Sequence, residues 1–283
     1  MATLLTLKRR IKTAGNVSKT TKAMQMIAAS KLKRAQDAAV SSKPYVEKLD
    51  ILSKNIAQKV DTDSIHEYMK KNDKINSKLL IVISPDKGLC GGLVTNLIRE
   101  VFRYNPSGKV YYIAIGKKAE NSLSLLNNEI VASFPFGISL PQFDFVYPIA
   151  KVVNEYFLNK KVSEVKILST RFSGVFTQIP KLSDVLPVKL EVEEKNGKSV
   201  TLFEPSAQEL LPDLLQHYLE MVIYQSLLES YASEQAARMI AMKNATDNAL
   251  DIISELRLEY NKTRQERITN ELLDIVGGQL SYG

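Results

Sequence analysis

The stretch DKGLCGGL, Asp86–Leu93, follows the apolar run LLIVIS, Leu79–Ser84, and precedes the helix-like TNLIREVF, Thr95–Phe102. Strand, glycine-rich turn and helix is the arrangement by which many proteins cradle a phosphate. The chain's single cysteine, Cys90, stands in the middle of it. A dinucleotide fingerprint needs Gly-x-Gly-x-x-Gly, whereas the spacing here is Gly88-x-x-Gly91-Gly92. A P-loop closes on Gly-Lys-Ser/Thr, and here Leu93-Val94-Thr95 follows. Nor does an acidic residue about twenty positions on end a second strand to hold a ribose. The spacing favours a structural turn made by Gly88, Cys90, Gly91 and Gly92, which passes a sheet strand closely into a helix. Cys90 reads as a small packing thiol, because no histidine lies near it in sequence to activate it.

The residues around this turn alternate between strand and helix patterns. LLIVIS, VYYIAIG (Val110–Gly116), EIVASF (Glu129–Phe134) and EVKILSTRF (Glu164–Phe172) read as strands. Helical stretches fall between them, at Thr95–Tyr104, Lys117–Leu126 and Val146–Asn159. That rhythm predicts an α/β sheet. Beyond it, VKLEVEEKNGKSVTLFEP predicts a β-hairpin turning at Asn196-Gly197.

The two ends read differently. No glycine occurs between Gly15 and Gly88, and neither glycine nor proline between Pro212 and Gly277. These are the residues that break helices, so both ends are expected to be long helices. The first carries a 3-4 repeat: Leu4, Leu7, Ile11, Ala14, Ser18, Thr21, Gln25, Ala28, Leu32, Ala35, Ala39. The last carries a longer one, from Leu214 through Met221, Leu228, Gln235, Met242 and Ala249 to Tyr260. Such repeats form coiled-coil seams, and their small residues allow close approach. Pro44 is expected to kink or interrupt the first helix. Glu204-Pro205-Ser206 is expected to start the last and Gly277-Gly278 to stop it. The division expected is an N-terminal helix at 1–58, a linker at 59–76, an α/β domain with its hairpin at 77–205, and a C-terminal helix at 206–283.

Composition narrows the function. With 45% hydrophobic and 24% charged residues, the chain is globular rather than disordered. One cysteine rules out an internal disulfide framework and a multi-thiolate zinc site, and the two histidines, His66 and His217, are far apart. Metal, cofactor and triad chemistry therefore have little material. Residues 1–59 hold thirteen Lys or Arg against Asp37, Glu47 and Asp50, a net of +10 in a chain of net +7. Such a cationic arm seeks an anionic partner: nucleic acid, a membrane surface or an acidic protein face. A nucleic-acid binder would place aromatic or arginine readout residues along the arm, but its sole aromatic is Tyr45. A basic, acid-poor start also suits a transit peptide, but a sustained seam from Leu4 makes a retained structural helix the expectation.

KTTKAMQMIAASKLKRAQ near the start, SPDKGLCGGL in the middle, and SEQAARMIAMKNATDNA with YNKTRQERITNELLDIVGG near the end complete the pattern. In order and spacing these motifs resemble the gamma subunits of F-type ATP synthases, over essentially the whole chain. One departure is that Gly278 is followed by Gln279, where that family usually continues Gly-Ala.

The resemblance implies an antiparallel coiled coil of the two terminal helices and a central Rossmann-like α/β domain acting as a foot. It implies a rotor shaft, non-catalytic by itself and without a cofactor, present once per complex. The implied partners are a ring of alternating alpha and beta subunits, the epsilon subunit and the membrane c-subunit ring, with no nucleic acid. It implies coupling roles for Met24, Arg238, Gln265 and Thr269. Met24 would meet an acidic lever on the beta subunit beside Lys22, Lys31 and Lys33, and Arg264 and Gln265 would hydrogen-bond a beta-subunit loop. The location implied is the cytoplasmic face of a bacterial inner membrane, with the matrix side of the mitochondrial inner membrane as the alternative. Outside the resemblance, a nucleotide-binding α/β protein and a basic coiled-coil nucleic-acid binder remain as the other readings.

Overall fold

The computed structural model describes residues 3–57, 66–70, 75–104, 106, 108–126, 129–188, 204 and 206–280. Most of the sequence 188–205, where a hairpin is expected, lies outside them. The chain divides into two compact units, one of Met1–Ala28 with Met239–Gly283, the other of Ala29–Arg238.

The larger unit is organised by a five-stranded sheet in the order β3-β2-β1-β4-β5. Its strands are β1 (Lys78–Ile83), β2 (Val110–Ile115), β3 (Glu129–Phe134), β4 (Glu164–Phe172) and β5 (Gln178–Leu186). The first four run parallel and β5 pairs antiparallel with β4. Helices α2 (Leu93–Arg103), α3 (Lys117–Leu125) and α4 (Val146–Leu158) make the crossovers. β1 is buried from Leu79 to Ile83 because both faces of the sheet are covered. Leu80 and Val82 join Ala114, Leu97, Val101, Ala119 and Leu123 in one core layer. Leu79, Ile81 and Ile83, on the alternate positions, face the other way.

Strand β5 was not legible from its sequence. QIPKLSDVL contains Pro180 and the exposed charged residues Lys181 and Asp184, which argue against a central strand. Among the described residues it is an edge, where the proline's missing N–H and the exposed charges are tolerated.

Two long helices flank the sheet in sequence. Helix α1 (Leu4–Ala57) continues through Pro44, contrary to the expected interruption. Proline removes only one helical hydrogen bond, and the buried stripe resumes beyond it at Leu49, Ser53 and Ile56. Helix α5 (Ala207–Leu280) runs through Gly277-Gly278, so the expected stop is also overturned. Glycine weakens a helix without forbidding it. The start is as expected: the Ser206 hydroxyl accepts the Glu209 N–H at 3.2 Å and donates to the Glu209 carboxylate at 2.9 Å.

Every seam position of α1 from Leu4 to Ala39 is buried or half-buried, and so are those of α5 from Leu214 to Tyr260. Within the larger unit the helices run antiparallel. The Ser42 hydroxyl donates to Gln225 at 2.6 Å, and Tyr45 lies 2.9 Å from His217 Nε2. Within the smaller unit, the hydroxyls of Thr21 and Thr246 meet at 2.7 Å across the polar part of the seam.

The sheet also fixes Gly116 at the end of β2, a position that sequence patterning did not single out. Its φ is +91°, and a Cβ there would stand 2.0 Å from the Ser84 carbonyl oxygen. Gly116→Ala is expected to cost roughly 3 kcal/mol of unfolding free energy, read from urea denaturation of the full chain.

Candidate functional site

The turn Asp86–Gly92 follows β1, and β1 lies between β2 and β4, so the chain reverses its direction of travel across the sheet here. Doubly wound sheets place ligands in the crevice at such a point, beyond the carboxyl ends of the strands. Here the chain's own residues occupy that place. The Ser84 hydroxyl accepts the Ala119 N–H at 2.6 Å, and the Pro85 carbonyl accepts that of Lys118 at 3.2 Å. Asp86 Oδ1 accepts the N–H groups of Lys117 and Phe136 at 2.9 and 3.2 Å, and its Oδ2 that of Gly137 at 2.8 Å. Asp86, Pro85 and Ser84 thus take the N–H groups of Lys117, Lys118 and Ala119 at the start of α3, donors that a bound phosphate would need.

Helix α5 closes the crevice from both lips. On the β4 side, Ser230 Oγ accepts the Thr170 N–H at 3.4 Å and Ser233 Oγ donates to the Thr170 carbonyl at 3.0 Å. On the β1 side, Arg238 Nη2 donates to the carbonyls of Lys87 and Gly88, both at 3.2 Å. Arg238 Nη1 also binds Glu234 Oε1 at 2.6 Å. The sequence pointed separately to Arg238 and to the glycine turn, and the structure brings them together. Only Gly91 within the turn needs glycine for its backbone, at φ +58°. Leu89 adopts the left-handed region too, at φ 62°, with its side chain exposed. Cys90 is buried, and burial raises its thiol pKa against the opposing pull of Arg238. Its burial suits a packing thiol.

Glu234 is the residue of this cluster that sequence patterning missed. It is 5% exposed, and its Oε2 has no hydrogen-bond partner among the described residues. Burial raises its pKa, Asp86 adds to the rise, and Arg238 and Lys31 oppose it. Its four-residue spacing from Arg238 was the available signal.

The remaining expected positions lie along the two long helices. Met24 is half-buried, while Lys22 and Lys33 are exposed. Lys31 Nζ donates to the Ile138 carbonyl at 2.8 Å. Arg264, Gln265 and Thr269 are exposed, and Thr269 Oγ1 donates to the Gln265 carbonyl one turn back at 3.0 Å. Among the described residues no helix is long and apolar enough to cross a membrane.

Comparison with known proteins matches this arrangement along its length. A family model described as ATP synthase covers residues 3–281. The ATP synthase gamma chain of Dehalococcoides mccartyi strain CBDB1 is 39% identical over 281 residues, 98% of each chain. The chain belongs to the ATP synthase gamma-chain family. Another relative, the gamma chain of Paracidovorax citrulli, is 37% identical over 280 residues, 96% of each chain. Among solved structures, the central stalk and c-ring of the Tetrahymena thermophila mitochondrial ATP synthase contain a similar chain. Its TM-score is 0.60 at 26% identity, over 80% of this chain and 99% of that one. A Euglena gracilis mitochondrial ATP synthase chain shares the fold, with TM-score 0.60 at 18% identity over 94% and 95%. The gamma chain is the central-stalk subunit of the synthase and not itself the catalyst.

Two outcomes test the Arg238–Glu234 pair. Arg238→Ala strands a buried carboxylate and is expected to lower stability by about 3 kcal/mol in denaturant unfolding. Glu234 has a folded pKa above its ordinary value of 4.5, so folding favours its neutral form. That stabilisation is complete below the ordinary value and is lost as pH rises through the raised one. Glu234→Gln should remove this loss, flattening the stability–pH curve above pH 4.5 relative to the parent chain.

Proposed function

We propose that this chain is a rotating shaft, carrying torque between a membrane c-subunit ring and the catalytic beta subunits of its synthase. The observation that carries this reading is helix α5. It is buried among sheet and loops around Leu227–Ala236, yet exposed on every side from 264 to 273. One helix embedded at one part and bare at another suits a rod held in a foot. The bare stretch holds Arg264, Gln265 and Thr269, side chains that form contacts breakable at each step of rotation.

In this proposal 1–58 and 206–283 make the shaft, 59–76 the linker and 77–205 the foot. Alternating alpha and beta subunits surround the shaft, the foot meets epsilon and the c-ring, and one copy serves each complex. Lys22, Lys31 and Lys33 attract an acidic lever of the beta subunit beside Met24, and Arg264 and Gln265 hydrogen-bond a beta-subunit loop. Arg238 fixes the shaft to the turn of the foot, and Thr269 supports the terminal contact. The complex sits on the cytoplasmic face of a bacterial inner membrane.

Met24→Lys adds a cation that holds the acidic lever too long. In the assembled enzyme it is expected to lower proton pumping per ATP hydrolysed, whereas unchanged pumping at unchanged hydrolysis would remove that role. Arg264→Ala with Gln265→Ala should weaken binding to the alpha–beta ring by about tenfold, measured on reconstitution. Recovery of alpha, beta and epsilon chains with the tagged chain tests the assembly itself.

A further inference from the structure

We propose that a cleft bordering the turn after β1, with Asp86 of that turn in its wall, binds a small phosphorylated anion of the nucleotide class. The cleft is lined by Lys31 and Arg34 of α1, Asp86, Lys117, Tyr231 and the loop 135–140. Its volume, about 650 Å³, falls within the range of small-molecule sites. Asp86, Lys117 and Pro135 stand just past the carboxyl ends of β1, β2 and β3, the side of a parallel sheet on which ligands bind.

The wall is preformed. Lys31 Nζ and the Tyr231 hydroxyl both donate to the Ile138 carbonyl, at 2.8 and 3.0 Å. Asp86 holds the Gly137 N–H, and the rings of Phe136 and Tyr231 lie 6.2 Å apart. The loop is therefore tied to α1, to α5 and to the turn after β1, which lowers the ordering cost of binding.

Charge selects the ligand. Three cations face one carboxylate, and both oxygens of that carboxylate are already engaged by backbone N–H groups. Among the described residues, the Arg34 guanidinium and the Lys117 ammonium have no hydrogen-bond or ion-pair partner. A guanidinium fork and an ammonium together suit phosphate oxygens. Pro135, Ile138 and Leu140 offer apolar surface to an organic group. The proposal does not rest on the stalk role, and no catalytic step is assigned to the cleft.

The test is calorimetric titration of the full-length chain with ADP, pyrophosphate and adenosine, at low and at physiological salt. One saturable ADP site is expected, with a dissociation constant on the order of 100 µM. Pyrophosphate should bind and adenosine should not. Pyrophosphate as tight as ADP would still support phosphate recognition and assign the site to an inorganic source. Arg34→Gln with Lys117→Gln should weaken binding by about tenfold. Lys12→Gln with Lys19→Gln, which removes equal charge elsewhere, should leave it unchanged. Absence of saturable binding, or equal weakening by both double variants, would overturn the proposal.

Discussion

The structure of the α/β unit depends on how helix α5 is seated against the open end of its sheet. A parallel sheet exposes strand ends and helix starts whose backbone groups must find partners. Here they find them inside the chain: Asp86 and Ser84 serve the start of α3, and Ser230, Ser233 and Arg238 serve the ends of β4 and β1. The same contacts tie a long helix to a rigid sheet. In a torque-bearing subunit, that is the joint where stiffness matters most. A buried charge pair is not the most stabilising way to fill such a space, since removing two charges from water costs several kcal/mol per ion. What the Arg238–Glu234 pair adds is direction: the guanidinium fork reaches the Lys87 and Gly88 carbonyls while gripping Glu234, fixing where the helix meets the turn.

Much of this was readable from residues alone. β3 and β4 have the bounds that their apolar runs suggest, β1 is displaced by one residue at each end, and β2 stops one residue early. Their burial leaves few alternatives, because a strand covered on both faces must be apolar throughout. The two seams were equally plain, since a 3-4 repeat survives substitution by any small or apolar residue. What escaped is local and relational. β5 was hidden by Pro180, which only its edge position excuses. The signal at Pro44 failed because packing on the seam outweighs one lost hydrogen bond, and that at Gly277-Gly278 because glycine weakens a helix without forbidding it.

The candidate site was half legible. The glycine spacing favoured a structural turn over a phosphate loop, and in the structure Asp86 at the start of that turn accepts the N–H groups of Lys117, Phe136 and Gly137. Arg238 and the turn were each conspicuous in sequence, but about 150 positions separate them, so no local pattern could join them. Glu234 carried no signal beyond its distance from Arg238. Its importance comes from burial, which a helix of mostly small residues does not announce. Lys31 was noted for its charge alone, and its bond to the Ile138 carbonyl emerges only when α1 and the 135–140 loop meet.

The open side of β5 carries one more consequence. An edge strand offers a row of unpaired backbone groups on which another sheet could grow. Pro180 interrupts that row, Lys181 and Asp184 add charge along it, and β4 takes the opposite side. Two copies of this chain meeting at that border would find no continuous ladder to share. A chain of this family thus carries, on that rim, its own barrier to pairing with itself.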